Sequence, residues 1–182
     1  MSLYSIAVFL HVLGMLGLFI ALGIERMILS NLAQSTGIVE ARAWIRSSSN
    51  LPALALSSIV LIVLSGIYLA ARIRAWPIAW IQVSLVAVIV IGVLGALVGT
   101  RLRAMRKIAA DDSGASLDTY RHSVADAALQ TPIRTRLTTA LAIVLLMVTR
   151  PDRNTSLVII GGALAIGRLW SVPTWNRRPV KR

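Results

Sequence analysis

The chain has 182 residues, of which 57% are hydrophobic and 14% charged, against roughly 25% charged in an ordinary soluble domain. That balance excludes a water-soluble globule, and so high an apolar fraction excludes an intrinsically disordered chain. The formal charge of +12 does not advertise nucleic acid, because the basic residues are confined to short connections between apolar blocks, and the lack of cysteine closes disulfide, thiolate-metal and cysteine-nucleophile chemistry.

The first apolar block, residues 3–24, carries no formal charge apart from His11 and exceeds the roughly 20 residues a spanning helix needs. It opens Met1-Ser2-Leu3-Tyr4 and ends in Glu25-Arg26, unlike a signal peptide, so it is expected to be retained. A second span over residues 53–71 begins behind Ser49, Asn50 and Pro52, a capping residue with proline in the first turn. A third span, 78–100, follows Trp76 and Pro77. The connection 101–133 opens with Leu102-Arg103-Ala104-Met105-Arg106-Lys107-Ile108-Ala109, which is expected to continue the third helix as a basic amphipathic turn suited to anionic headgroups through Arg101, Arg103, Arg106 and Lys107. Beyond Asp111 and Asp112, Ser116 is placed to cap a second amphipathic helix with Leu117, Tyr120, Val124, Ala127 and Ala128 on its apolar face, lying on the membrane or docked under the bundle. Two shorter spans, 134–149 and 156–171, flank the turn signal Thr149-Arg150-Pro151-Asp152-Arg153-Asn154 and predict a hairpin; a re-entrant or interfacial pair is the alternative that their length leaves open.

The expected architecture is a single all-α, polytopic membrane domain of five transmembrane helices. Five crossings put fifteen of the Lys and Arg residues on one side and only Arg72, Arg74, Arg150 and Arg153 on the other, which predicts the N-terminus outside and the C-terminus in the cytoplasm of an inner (plasma) membrane. Tryptophan favours the headgroup level, so Trp76 and Trp80 at one face and Trp170 and Trp175 at the other read as anchors.

Intramembrane polar residues are the natural functional candidates, because each costs free energy to place there. His11 is the only ionisable side chain within a core. It reads either as a metal or haem axial ligand or proton-handling group, or as a neutral imidazole bonded to a neighbouring helix. Gly14 lets a helix or flat ligand approach, and Met147 is a candidate second axial ligand of a His/Met pair. His122 has Asp118 and Asp126 four residues to either side, the pattern of a solvated ion-pair face. Glu25 and Arg26 are expected to close the first helix by snorkelling, with Arg168 as a partner for Glu25. Gly95 with Gly99, and Ala163 with Gly167, are small-xxx-small pairs for helix packing or a homodimer. No catalytic constellation is evident, and the sparse polar lining argues against a transporter.

The segment Leu10-His11-Val12-Leu13-Gly14 leading to Glu25-Arg26, with Leu64-Ser65-Gly66-Ile67-Tyr68-Leu69 and Met147-Val148-Thr149-Arg150-Pro151, resembles the CopD-like integral membrane proteins. That group loosely includes copper-resistance CopD, HemJ-type proteins and uncharacterised families, the last of which the chain is most similar to. The resemblance implies a helix bundle and, from the HemJ branch, haem at His11; the chain departs from that branch in having no lysine in any span. The leading expectation is a non-catalytic accessory or small-molecule-binding bundle, associating with the bilayer and with a second copy or a membrane partner. The alternative is a b-type haem or redox protein using His11.

Overall fold

The computed structural model describes residues 2–110 and 116–170. Every regular element among them is helical: α1 (Leu3–Gln34), α2 (Ile38–Ser47), a 3-10 turn (Ser48–Asn50), α3 (Leu51–Arg72), α4 (Ala79–Ala110), α5 (Leu117–Ala125), α6 (Ala127–Thr149) and α7 (Arg153–Leu169). Four stretches are long and apolar enough to cross a membrane, namely α1, the run Ile38–Arg72, α4 and α6. At 17 residues, α7 is about 25 Å long and falls short of a full straight span. It nevertheless returns along α6 until Trp170 meets Arg26 and Arg134. Trp175 lies outside the described residues.

Local chemistry explains the punctuation. Ser2, Ser116, Asp126 and Asp152 cap α1, α5, α6 and α7 through their side-chain oxygens, each meeting an amide that the first helical turn leaves unbonded. Pro52 sits in the first turn of α3, where its missing N–H costs nothing. The α6–α7 turn is made by Arg150 in the left-handed region at φ 48, followed by Pro151 and the Asp152 cap. The Thr155 hydroxyl and the cap amides hold the Asp152 carboxyl below the usual carboxylate range, so the cap is complete at neutral pH and is lost only as the pH falls through that lowered value.

Several elements outrun their sequence-based bounds. The first helix does not close at Glu25-Arg26 but continues to Gln34, and α4 continues past its apolar span to Ala110, as the basic amphipathic turn after Arg101 predicts. Both project beyond the apolar spans, and their ends build a second core with α2, α5 and the start of α6. Leu29, Leu32, Ala41, Ile45, Val98, Leu102, Met105, Tyr120, Val124, Leu129 and Ile133 form it. The predicted amphipathic helix therefore docks under the bundle. It ends at Ala125, and Ala127 and Ala128 belong to α6, because Asp126 takes an extended conformation and restarts the chain as an N-cap. The basic residues expected at headgroups are partly diverted into this layer: Arg101 pairs with Asp126 at 2.8 Å, and Arg106 donates to the Ser48 carbonyl. Asp126 is thereby drawn away from His122, which stays exposed. Arg121, on the adjoining position, donates to the Ser35 carbonyl and staples α5 to the α1–α2 turn.

The spans pack through small residues. A Cβ on Gly14 would stand 2.9 Å from Ile62 Cγ1 and 3.1 Å from backbone atoms of Ile62 and Ser58, and one on Gly17 2.5 Å from Ser58 Oγ, so α1 and α3 touch almost backbone to backbone. Gly167 lies equally close to Thr135 on α6, and the Thr138 hydroxyl donates to the Ala163 carbonyl at 2.8 Å, which makes Ala163 and Gly167 the α6–α7 seam. Gly14→Val should cost about 1–3 kcal/mol by overpacking, read as a lowered unfolding midpoint in detergent. Gly92→Ala, whose Cβ would meet nothing within 4 Å, should leave the midpoint unchanged or raise it.

Candidate functional site

His11 stands on α1 against Gly66 of α3, where the missing side chain makes room for the ring: a Cβ there would be 3.1 Å from His11 Cε1. Its Nδ1 lies 3.0 Å from the Ile62 carbonyl and 3.1 Å from Ser65 Oγ. The Ser65 hydroxyl directs its one proton to carbonyls of its own helix, Leu61 and Ile62, so both groups facing Nδ1 accept. Nδ1 therefore carries the proton in the neutral ring, and Nε2 keeps its lone pair. Nε2 makes no hydrogen bond among the described residues. This is the arrangement that orients a ligating histidine, one nitrogen tied to backbone and the other presented.

His11 lines a cavity of about 410 Å³ between α1, α3, α4 and α6, within the range of small-molecule sites. Val8, Ile62, Val88 and neighbouring aliphatics supply most of the wall. Its polar or soft groups are His11, Ser84, the Met147 thioether and Arg150, with Trp76 and Trp80 on its rim. Ser84 Oγ is buried without a hydrogen-bond partner. The cavity exists because α6 ends early. Arg150 and His11 face the same space, yet α1 continues from His11 to Leu3, about 12 Å further along its axis. The Gln82 side chain donates to the Trp76 carbonyl at 2.9 Å and fixes the turn that carries that rim.

Of the residues predicted for a haem site, the structure brings His11 and Met147 to one cavity. Gly14 is not part of it, being buried in the α1–α3 seam. Trp76 and Trp80 line the cavity as well as ending a span. Ser65, Ser84 and Arg150 are not among the site residues the sequence predicts; a hydroxyl within an apolar run, or a charge at the end of one, is too common to select.

A second polar centre lies about 21 Å along α1 from His11. Arg136 Nη1 donates to both oxygens of Glu25, at 3.0 and 2.9 Å, with side chains 2% and 7% exposed respectively. Glu25 thus pairs with α6 and not with Arg168, which is exposed; the helical step that turns Gly167 into the α6–α7 seam turns Arg168 out of it. Gly95 makes this possible, because a Cβ there would lie 3.3 Å from the Arg136 guanidinium. At Gly95 the group that comes close is thus the Arg136 side chain of α6, and Gly99 meets the Arg103 side chain, at 3.9 Å.

Comparison of the chain with protein-family models, curated proteins and solved structures finds no match. Function therefore rests on this geometry alone. Glu25→Gln should destabilise the bundle by about 3–5 kcal/mol, because it leaves a buried guanidinium uncompensated. Arg101→Gln breaks a pair whose side chains are 45% and 49% exposed and should cost under about 1 kcal/mol. Reversible unfolding in mixed micelles gives both values.

Proposed function

We propose that this protein is a multi-pass inner-membrane bundle that binds a small, largely apolar molecule in the α1/α3/α4/α6 cavity, with Nε2 of His11 as its polar contact. The observation that carries the reading is His11 on the wall of a largely apolar cavity, its Nδ1 held against the Ile62 carbonyl and Ser65 Oγ and its Nε2 without a hydrogen bond among the described residues. An acceptor held there selects ligands that bring a proton donor or a metal, and the buried Ser84 hydroxyl offers a second contact. The tryptophan rim suits a ring at headgroup depth. On this reading α7 is the fifth crossing, and the excess of basic residues at the α2/α5 end places that end in the cytoplasm and the His11 end outside. The role is accessory binding, in company with a second copy or a membrane partner, rather than catalysis.

A second reading is favoured by one further observation, that Met147 lines the cavity His11 lines. His11 and Met147 are the residues that would hold a haem iron there, and Arg150 would offer a cation to its carboxylates. Bound there, haem would supply one-electron transfer. The chain's own contribution would be to fix the His11 ring through Ile62 and Ser65 and to keep water out with the aliphatic wall.

Full-length protein purified in detergent and extracted with organic solvent should release a co-purifying small molecule, with recovery roughly fivefold or more lower for His11→Ala, the worth of one lost hydrogen bond. Equal recovery from both proteins would overturn the site. Oxidised and dithionite-reduced visible spectra decide the second reading: a Soret band lost in His11→Ala supports haem, and a colourless preparation from haem-replete cells removes it.

A further inference from the structure

At the other end of the bundle a smaller concavity of about 240 Å³ opens between α1, α5 and α6, over a floor that includes Leu29 and Ile133. Its polar lining is Arg26, Ser30, Gln130 and Arg134. It contains two cations and no acid. The guanidinium carbons of Arg26 and Arg134 each lie 5.8 Å from the centroid of the same Trp170 ring. Neither makes an ion pair among the described residues, since the nearby carboxylate of Glu25 is committed to Arg136. Arg134 spends Nη1 on the Trp170 carbonyl and leaves its Nε buried without a partner among the described residues. Two like charges crowded beside one indole raise the energy of the empty notch, and an anion lowers it.

Depth narrows the choice of anion. Arg26 is about 34 Å along α1 from Leu3, and Arg134 about 24 Å along α6 from Arg150, two lengths that bracket a hydrocarbon core of about 30 Å. That places the notch at headgroup level, where tryptophan and arginine both settle. Ile166 and Leu169 on the adjoining turn of α7 are 57% and 68% exposed and provide an apolar flank for an acyl chain running from the notch into the bilayer. Guanidinium forks match phosphate oxygens in shape as well as charge.

We propose that Arg26 and Arg134, under Trp170, form a binding site for the phosphate of an anionic membrane lipid. The site is independent of the His11 cavity. The test uses the full chain in detergent, incubated with phosphatidylcholine or phosphatidylglycerol and examined by native mass spectrometry, with inorganic phosphate as a competing arm. Phosphatidylglycerol adducts should survive at collision energies that strip phosphatidylcholine. Arg26→Gln, a change at an exposed side chain that leaves the Glu25–Arg136 pair in place, should reduce retention roughly fivefold. Arg103→Gln, which removes the same charge outside the notch, should not. Equal loss in the two variants would overturn the site in favour of diffuse surface charge. Displacement of the lipid by millimolar inorganic phosphate would overturn the lipid and leave a soluble phosphate as the ligand.

Discussion

The buried ion pair between Glu25 and Arg136 is the constraint around which the bundle is arranged. It lies between two apolar cores, and in each of three helices it falls at the boundary. On α1, Glu25 separates Leu22 of one core from Leu29 of the other; on α6, Arg136 separates Ala140 from Ile133; on α4, Gly95 separates Ile91 from Val98. A carboxylate or a guanidinium alone at this depth would cost several kcal/mol. The two charges therefore have to meet, and meeting fixes the axial register of α1 against α6. Gly95 extends the same constraint to α4, since a Cβ there would stand 3.3 Å from the guanidinium, and a larger side chain would crowd it further. This is the registry role best attested for buried ionic groups.

The two concave sites follow from that register. With Glu25 and Arg136 level, the 14 residues from His11 to Glu25 and the 14 from Arg136 to Arg150 cover equal lengths of helix. His11 and the end of α6 consequently share a level, and the longer α1 and α3 overhang the place where α6 stops. The resulting space is the His11 cavity. In the other direction, the residue after Glu25 and the residue two before Arg136 are Arg26 and Arg134, which the register brings to one notch. One pair of charges thus positions both a largely apolar cavity with His11 on its wall and a polar notch with two cations.

The spans were legible because composition forces them: runs such as residues 53–71 and 78–100 have no other solvent than lipid. The hairpin at Pro151 and the Ser116 cap were legible because proline and a capping hydroxyl act locally. The extension of α4 was legible in the basic amphipathic turn that follows Arg101; that of α1 was not, since a charge ends a membrane span but does not end a helix, and continuation depended on α2 and α5 arriving to cover Leu29 and Leu32. His11 and Met147 could be named from residue type, but their sharing one cavity required the register. Arg136 reads as one more basic residue at the cytoplasmic end of the span 134–149, and Glu25 as an interfacial anchor. Their pairing across 111 positions is a tertiary fact without a local signature. Gly95 was read as a seam residue because glycine spacing reports that something comes close, not what.

The most direct test of this account is a double-mutant cycle on Glu25→Leu and Arg136→Leu, measured by reversible unfolding in mixed micelles. If the pair sets the register through mutual neutralisation, each single variant is strongly destabilised, while the double variant, with no buried charge left, recovers to within about 1–2 kcal/mol of the wild type. Additive losses, with the double variant as unstable as the two singles combined, would contradict the pairing and remove the common cause proposed for both sites.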